Sequence, residues 1–399
     1  MDFLTQYSEA AKTSVGFFWK SGWAFVLGYA VSAAIQTFVP KRNLTRFMGK
    51  ADARSISLST LFGAISSSCS FAALATARSL FLKGAHFVAA VAFMFASTNL
   101  VIELGILIYI FLGWEYVIAE IIGGLVLIAI SSLLIRWAYP RKWIEEARKK
   151  VEAESGGTED DFDWRKRIRS KTGWLRVGHK FVHEWKMAWE DILIGFTIAG
   201  FVAVFVPDTF WQAVFLQNLE GEAPAFLLRL ENAFIAPFVA ALTFIGSMGN
   251  IPLATVLAGS GVTFAGIMGF IYSDLIVPPL VDMNRKYYGI KVALYIVGVM
   301  LVSIVSTALL LNYGFEALGV MPRHKQVMGE MTQFRIDYTF WFNLFFAAVA
   351  AVLVWAYYRF KKLKDMPGTF SLGNITLKRA IVYACVIIVT VGLALFFVQ

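Results

Sequence analysis

Apolar residues along this chain come in long runs separated by short polar loops, and only the loops carry most of the charge. Eight runs, Trp19–Val39, Gly84–Phe111, Val117–Tyr139, Asp191–Leu216, Gly261–Met283, Val292–Tyr313, Tyr338–Phe360 and Ile381–Val398, approach or exceed the roughly 20 residues needed to cross a bilayer. Each is expected to span. Two further stretches are apolar at both ends and broken in the middle. Ile56–Leu82 is interrupted by Ser66-Ser67-Ser68-Cys69-Ser70, and Asn232–Gly259 by Gly246-Ser247-Met248-Gly249-Asn250-Ile251-Pro252. Serines compete for backbone hydrogen bonds, and glycine and proline break helices. Irregular backbone at membrane depth is tolerated only where protein or a water-filled cavity lines it. Both stretches therefore read as half-helices meeting at a polar apex. The plainer reading is a continuous helix packing a small Ser/Ala face on a neighbour.

Loop charge orients these elements. Lys41, Arg42, Arg46, Lys50 and Arg54 precede the first broken stretch and Lys83 follows it. A re-entrant hairpin keeps both basic ends on the cytoplasmic side, as the positive-inside rule favours. Arg285, Lys286 and Lys291, and the loop with Lys361, Lys362, Lys364, Lys378 and Arg379, would share that side. So would the charged connector 140–190, which contains a short amphipathic helix at Glu145–Val151 and a Gly/acidic turn at Ser155–Asp163. The alternative makes both broken stretches full crossings, giving ten spans.

The two halves resemble each other. Leu74-Ala75-Thr76 recurs as Leu253-Ala254-Thr255, and Gly84 and Phe93 recur as Gly261 and Phe270 after a two-residue deletion. In that register Cys69 faces Met248, Ala73 faces Pro252 and Ser97 faces Asp274. Each half reads as span, broken hairpin, span, span, and the halves enter from opposite sides. This is the inverted-topology plan of many secondary transporters. The expected architecture is all-α and polytopic: a first repeat over 1–139 with re-entrant segment 56–82, the connector 140–190, an inverted repeat over 191–314 with re-entrant segment 232–259, an external loop 315–337 and a C-terminal hairpin 338–399.

Composition agrees. Of 399 residues 58% are hydrophobic and 16% charged, against about one-quarter charged in soluble domains. The mean hydropathy is +0.65. The net charge of +9 then reports loop orientation, and no nucleic-acid partner is expected. Cys69 and Cys385 lie in apolar stretches, so no disulfide framework is implied. The first apolar run lacks a cleavage pattern and reads as a retained helix.

Chemistry concentrates at the apices and at a few intramembrane polar groups. Charged side chains at membrane depth are costly and mark function by default. Asp274 lies in an apolar run beside Tyr272 and Ser273, ahead of Pro278-Pro279. A carboxyl group out of water favours its neutral, proton-carrying form, which makes Asp274 the first candidate for ion coupling and Glu103 the second. Glu103 shares a helix face with Asn99, four residues earlier. It also reads as a packing residue, and Glu115 and Glu120 as residues near the outer surface. Candidate substrate contacts are Ser66, Ser67, Ser68, Cys69, Ser70, Asn99, Ser247, Met248, Gly249 and Asn250. Cys69 and Met248 are soft donors that suit soft metals and metalloids, although methionine is also a common gap-filler. Helix N-termini at each apex would suit an anion. Arg78 is expected to snorkel. His179 and His183, four apart, could hold a metal, but no third ligand is specified and a solvated face is preferred. No metal or cofactor is assigned.

The run from Ser66 to Val101, with its Cys-Ser apex, Leu-Ala helix, Lys83-Gly84 turn and Ala-rich span ending in Ala96-Ser97, resembles a bacterial predicted-permease family that includes the ArsP-type organoarsenical efflux permeases. Gly249-Asn250-Ile251-Pro252-Leu253-Ala254 and Gly266–Pro279 carry the likeness into the second half, so that it covers about residues 20–315. At this apex Cys69 stands alone, with Ser67 and Phe71 two residues to either side. The resemblance implies a multi-pass permease of the bacterial inner membrane. Together with the polar groups it leads to an expected ion-gradient-coupled exporter of a soft metalloid or related small molecule, a non-enzyme with metalloid substrate and lipid as partners. A homo-oligomer is left open. The alternatives are a channel or transporter for a small oxyanion, and a membrane enzyme using Cys69.

Overall fold

A computed structural model describes residues 3–38, 48–66, 70–82, 84–153, 164–219, 221–243, 247–322, 336–363 and 377–398. Among them the chain is helical, with no strand. Helix α1 is Phe3–Phe38, α2 Ala53–Ser66, α3 Ser70–Leu82, α4 Phe87–Asn99, α5 Ile102–Phe111 and α6 Trp114–Trp137. The connector contributes α7 (Arg141–Ala153) and α8 (Trp164–Arg169). There follow α9 (Lys171–Phe205), α10 (Asp208–Val214), α11 (Ala225–Thr243), α12 (Ser247–Gly259), α13 (Phe264–Ile271), a 3₁₀ turn at Tyr272–Ile276, α14 (Pro278–Tyr288) and α15 (Ile290–Ala317). A hairpin of α16 (Tyr338–Leu363) and α17 (Leu377–Val398) ends the fold. Six of these helices are long and apolar enough to cross a membrane, and eight crossings result if each of two bent pairs is one span. The protein is an all-α polytopic membrane protein.

Those bent pairs correct the expected straight spans. Gly84–Phe111 divides into α4 and α5, bent by 42°, and Gly261–Met283 into the α13–3₁₀ segment and α14, bent by 41°. The causes differ. At the end of α4, the hydroxyls of Ser97 and Thr98 donate to the Met94 carbonyl and Asn99 Nδ2 donates to Phe95 O, so side chains compete for the carbonyls of the helix ladder. In the second case Pro278 and Pro279 lack the N–H groups that would continue the ladder, and Val277, which precedes them, is extended. Likewise α9 stops at Phe205 rather than running to Leu216, because Pro207 follows the extended Val206.

Element boundaries expose the repeat more sharply than residue identities do. Ser66 and Thr243 end α2 and α11; Ser70 and Ser247 open α3 and α12; Leu82 and Gly259 close them; Phe87 and Phe264 open α4 and α13; Asn99 and Ile276 end the segments before the bends. Each second-half position follows its counterpart by 177 residues. The turn between the paired elements recurs bond for bond. Gly84 and Gly261 have φ of 96° and 93°. Ala85 N donates to Leu80 O at 3.0 Å, and Val262 N to Leu257 O at 3.2 Å, closing a glycine-ended helix cap in both halves. The 177 register needs no deletion, so it replaces the apex pairing that set Cys69 against Met248: Ser70 corresponds to Ser247, while Ser97 still corresponds to Asp274.

Small residues set the closest helix contacts. Helix α1 packs along α9, where a Cβ on Gly200 would lie 2.1 Å from Ser14 Oγ. A Cβ on Gly195 would lie 2.7 Å from the Gly249 backbone, bringing α12 onto α9. The α16–α17 hairpin lies against α9 and α1 and leaves Leu344, Phe345, Val352 and Ile387 exposed, an apolar face suited to lipid.

His179 departs from its expected solvated setting. Its ring lies 5.3 Å from Phe360 and stacks at 5.8 Å on Tyr357, tying the end of α9 outside its apolar span to α16. Burial first, and then the nearby Lys180, hold the imidazole below its ordinary range. A depressed histidine contributes stability in its neutral form, which is lost as pH falls below about 6.5, the unfolded value. We therefore expect thermal unfolding in detergent to occur at lower temperature at pH 5.5 than at pH 7.5, and His179→Phe, which keeps an aromatic contact, to show a smaller difference. An equal pH effect in both proteins would show that His179 is not its source.

Candidate functional site

A hydrogen bond between two buried side chains joins the two halves. Ser70 Oγ, at the start of α3, donates to Asp274 Oδ2 at 2.9 Å, and both residues are buried. Sequence composition explains why each group sits there. Ser70 is the last hydroxyl of the serine run and opens a helix. Asp274 lies in the 3₁₀ turn forced by the following proline pair, where ladder bonds are looser and side chains re-aim. Ser273 fixes this turn by donating to the Gly269 carbonyl. Tyr272, fully buried, donates its hydroxyl to Ala119 O of α6 at 2.9 Å. A Cβ on Gly123 would lie 2.1 Å from that hydroxyl, so the glycine makes room for the tyrosine. Asp274 Oδ1 has no hydrogen-bond partner among the described residues, an open acceptor in a dry setting.

The other candidates distribute as follows. Ser67, Ser68 and Cys69 lie outside the described residues. Ser66 closes α2. Asn99 is buried at the α4–α5 bend, bonded through Nδ2 to Phe95 O and Thr98 Oγ1, with Oδ1 unpartnered among the described residues. Glu103 is buried in the first turn of α5 and packs on α1, its Cγ where a Cβ on Gly28 would lie 1.9 Å away. Ser247 opens α12 and Gly249 abuts Gly195. Met248 Sδ accepts the Tyr29 hydroxyl at 3.3 Å. Asn250, fully buried, accepts from Thr243 Oγ1 at 3.2 Å. Helix α12 also packs on α5 and on the Asp274 turn. The structure thus gathers Ser70, Asp274 and the α12 apex, and holds Asn99 and Glu103 at the adjoining bend. Arg78 rests over the Tyr287 ring, 4.5 Å from its centroid, rather than at the apex. No group of three metal-ligating side chains occurs among the described residues.

One residue belongs here that the sequence reading placed near the surface. Glu120 is 2% exposed. It sits nearly two turns into α6, where the Tyr272 hydroxyl reaches the backbone carbonyls of Ala119 and Glu120. The available signal was its position inside the apolar run after Trp114, which counting inward from the helix end would have flagged.

Bent helices, two interrupted segments and a carboxyl bonded across the two halves, with up to eight crossings among the described residues, describe a polytopic membrane protein, and its relatives make it a permease. The chain belongs to the ArsP_1 family, described as predicted permease, which it matches over residues 6–313. It is also 36% identical over 329 residues to the Mycobacterium tuberculosis protein named "Putative permease Rv2963", a match covering 79% of each chain. No solved structure matches it.

Losing a partner of a buried acceptor costs about 1–3 kcal/mol. Ser70→Ala should therefore lower the thermal unfolding temperature of the purified protein more than Ser247→Ala, its counterpart in the other half. Equal effects would mean that the Ser70–Asp274 bond adds nothing specific.

Proposed function

We propose that this permease exports a soft metalloid compound, organoarsenical-like, or a related small molecule, using an ion gradient through protonation of Asp274. The observation that carries the reading is the Ser70–Asp274 bond. It places a carboxyl with one open oxygen between the apex of the first half and the bent segment of the second. In a carrier that moves one repeat against the other about a central site, proton loss or gain at such a junction changes the strength of the bond that joins them. Met248 offers a soft donor at the second apex, and Cys69 in the first apex would add a thiol. Transport rather than catalysis follows from this reading, with the bilayer of the bacterial inner membrane as its setting and the interrupted segments entering as re-entrant hairpins.

A small oxyanion is the second reading. It is favoured by the opening of both α3 and α12 at the apices, since helix N-termini present amides to anions.

Proteoliposomes loaded under an imposed pH gradient distinguish the two with phenylarsenite and phosphate as probes. Phenylarsenite should accumulate in the wild type. Asp274→Asn keeps shape and mimics the protonated acid, so it should retain downhill phenylarsenite exchange and lose gradient-driven accumulation. Undiminished accumulation in Asp274→Asn would remove Asp274 as the coupling group and leave Glu103 next in line. Phosphate accumulation without phenylarsenite would overturn the soft-metalloid reading. Cys69→Ser should abolish phenylarsenite transport, and normal transport by both Cys69→Ser and Cys69→Ala would reduce Cys69 to packing.

A further inference from the structure

We propose that the corner between α8 and α9 binds the headgroups of anionic lipids, through Lys166, Arg169 and Lys171, in the bilayer leaflet at the connector's end of the fold. The sequence supplies the charge: Arg165, Lys166, Arg167, Arg169 and Lys171 fall in one stretch that holds no acid. A run of like charges is ordinarily disordered, and here it is held in a built corner. Ser170 caps α9, its Oγ accepting from Gly173 N at 2.9 Å and donating to Arg167 O at 2.9 Å. Trp174 Nε1 donates to Ile168 O at 2.9 Å and ties the first turn of α9 back to α8. Gly173 passes so close to the Arg167 carbonyl that a Cβ would overlap it. Arg167 itself is committed to the fold, its guanidinium donating to Thr37 O at 3.4 Å, among the last carbonyls of α1. The Trp174 ring adds a contact with Phe38, 5.1 Å away. Lys166, Arg169 and Lys171 take no part in these bonds. They are exposed, and no ion pair among the described residues engages them.

Position identifies the partner. Leu175, next to Trp174, forms a buried cluster with Ala356 and Phe360 of α16. Helix α16 is long and apolar enough to cross a membrane from Tyr338 to Lys362. The corner therefore lies where that crossing ends, beside a last turn that carries Lys361 and Lys362. Large apolar side chains are exposed at this level: Trp174 and Ile168 in the corner, Trp355 and Tyr358 on the adjoining turns of α16. Tryptophan and tyrosine favour the headgroup region, where one end of the ring is dry and the other wet. Basic side chains set among them meet lipid phosphates. A soluble acidic partner would account for the charge alone, whereas a leaflet accounts for the charge and the exposed rings together. Orientation of the chain by loop charge needs only the number of cations. Headgroup binding needs these three held in place, which the corner does.

Thermal unfolding of the full-length protein in neutral detergent, titrated with phosphatidylglycerol or phosphatidylcholine, tests the assignment without a transported substrate. Phosphatidylglycerol should raise the unfolding temperature of the wild type, phosphatidylcholine should not, and added salt should weaken the effect. Each cation near an anionic lipid surface strengthens attachment about fivefold. The triple variant Lys166→Gln, Arg169→Gln, Lys171→Gln leaves the Ser170, Trp174 and Arg167 bonds in place. It should need more than about tenfold more phosphatidylglycerol for the same rise. A second triple, Arg285→Gln, Lys286→Gln, Lys291→Gln, removes as many cations from another basic stretch and should keep the wild-type response. If the first triple does not fold in phosphatidylcholine, Lys166→Gln alone should show about a fivefold loss. Equal losses in the two triples would reduce the effect to diffuse charge and overturn the site. An equal response to the two lipids would overturn it as well. So would the same stabilisation by inorganic phosphate at the lipid concentration, which would make the ligand a free anion.

Discussion

A fully buried carboxyl group with no counter-ion among the described residues can be kept only if something organises its neighbourhood, and Asp274 imposes that constraint on the elements around it. Ser70, its side-chain donor among the described residues, lies 204 residues away in sequence, so the start of α3 must be carried to the 3₁₀ turn of the second half. The proline pair after Val277 loosens that turn, the Ser273 hydroxyl pins it from behind, and Tyr272 anchors it to α6 through a gap that Gly123 leaves open. Removing any of these moves the carboxylate relative to its donor. Leaving a buried acceptor without its donor costs about 1–3 kcal/mol, enough to matter in a protein of marginal stability.

The repeat supplies the frame and breaks its own symmetry at the site. Helix ends and glycine-capped turns correspond at a constant offset, and each half bends at the same relative place. The chemistry of the two bends differs. In the first half hydroxyl and amide side chains near Asn99 compete with the backbone. In the second, prolines do the same work and free the preceding turn to present a carboxyl where the first half has Ser97. Two matching acids would put charge on both halves. With Ser97 on one side and Asp274 on the other, the corresponding positions carry different chemistry, and the first half meets the Asp274 carboxyl with the Ser70 hydroxyl.

Much of this was legible in the sequence. Long apolar runs, their interruption at Ser66–Ser70 and Gly246–Pro252, and the isolation of Asp274 all follow from local residue types. The bends at Leu100 and Val277 were missed because run length counts apolar residues and is blind to hydroxyls spaced to reach back to helix carbonyls. The repeat register slipped by two residues at the apex because Leu-Ala-Thr recurs by identity, whereas the fold aligns helix ends and turns. Glu120 reads as lying near the interface because Trp114 is close along the chain, whereas its burial comes from tertiary packing of α6 against the Tyr272 turn. His179 was read as solvated because α16, which covers it, lies far along the chain.

Packing also limits which parts can move. Helices α1, α9 and α12 approach through glycine and serine with no space to spare, and contacts of that closeness are bistable rather than continuously deformable. The α16–α17 hairpin braces α1 and α9 from outside, beyond residue 313 where the family match ends, so it stiffens that side without touching the site. The α4–α5 and 3₁₀–α14 bends are different. Their ladders are already interrupted, and short unbonded stretches absorb changes in φ and ψ at least cost. The second bend, at Val277, follows the turn that carries Asp274. A change in the proton content of Asp274 would therefore act on an interrupted stretch of backbone, against the closely packed side formed by α1 and α9, which is what one half shifting against the other requires.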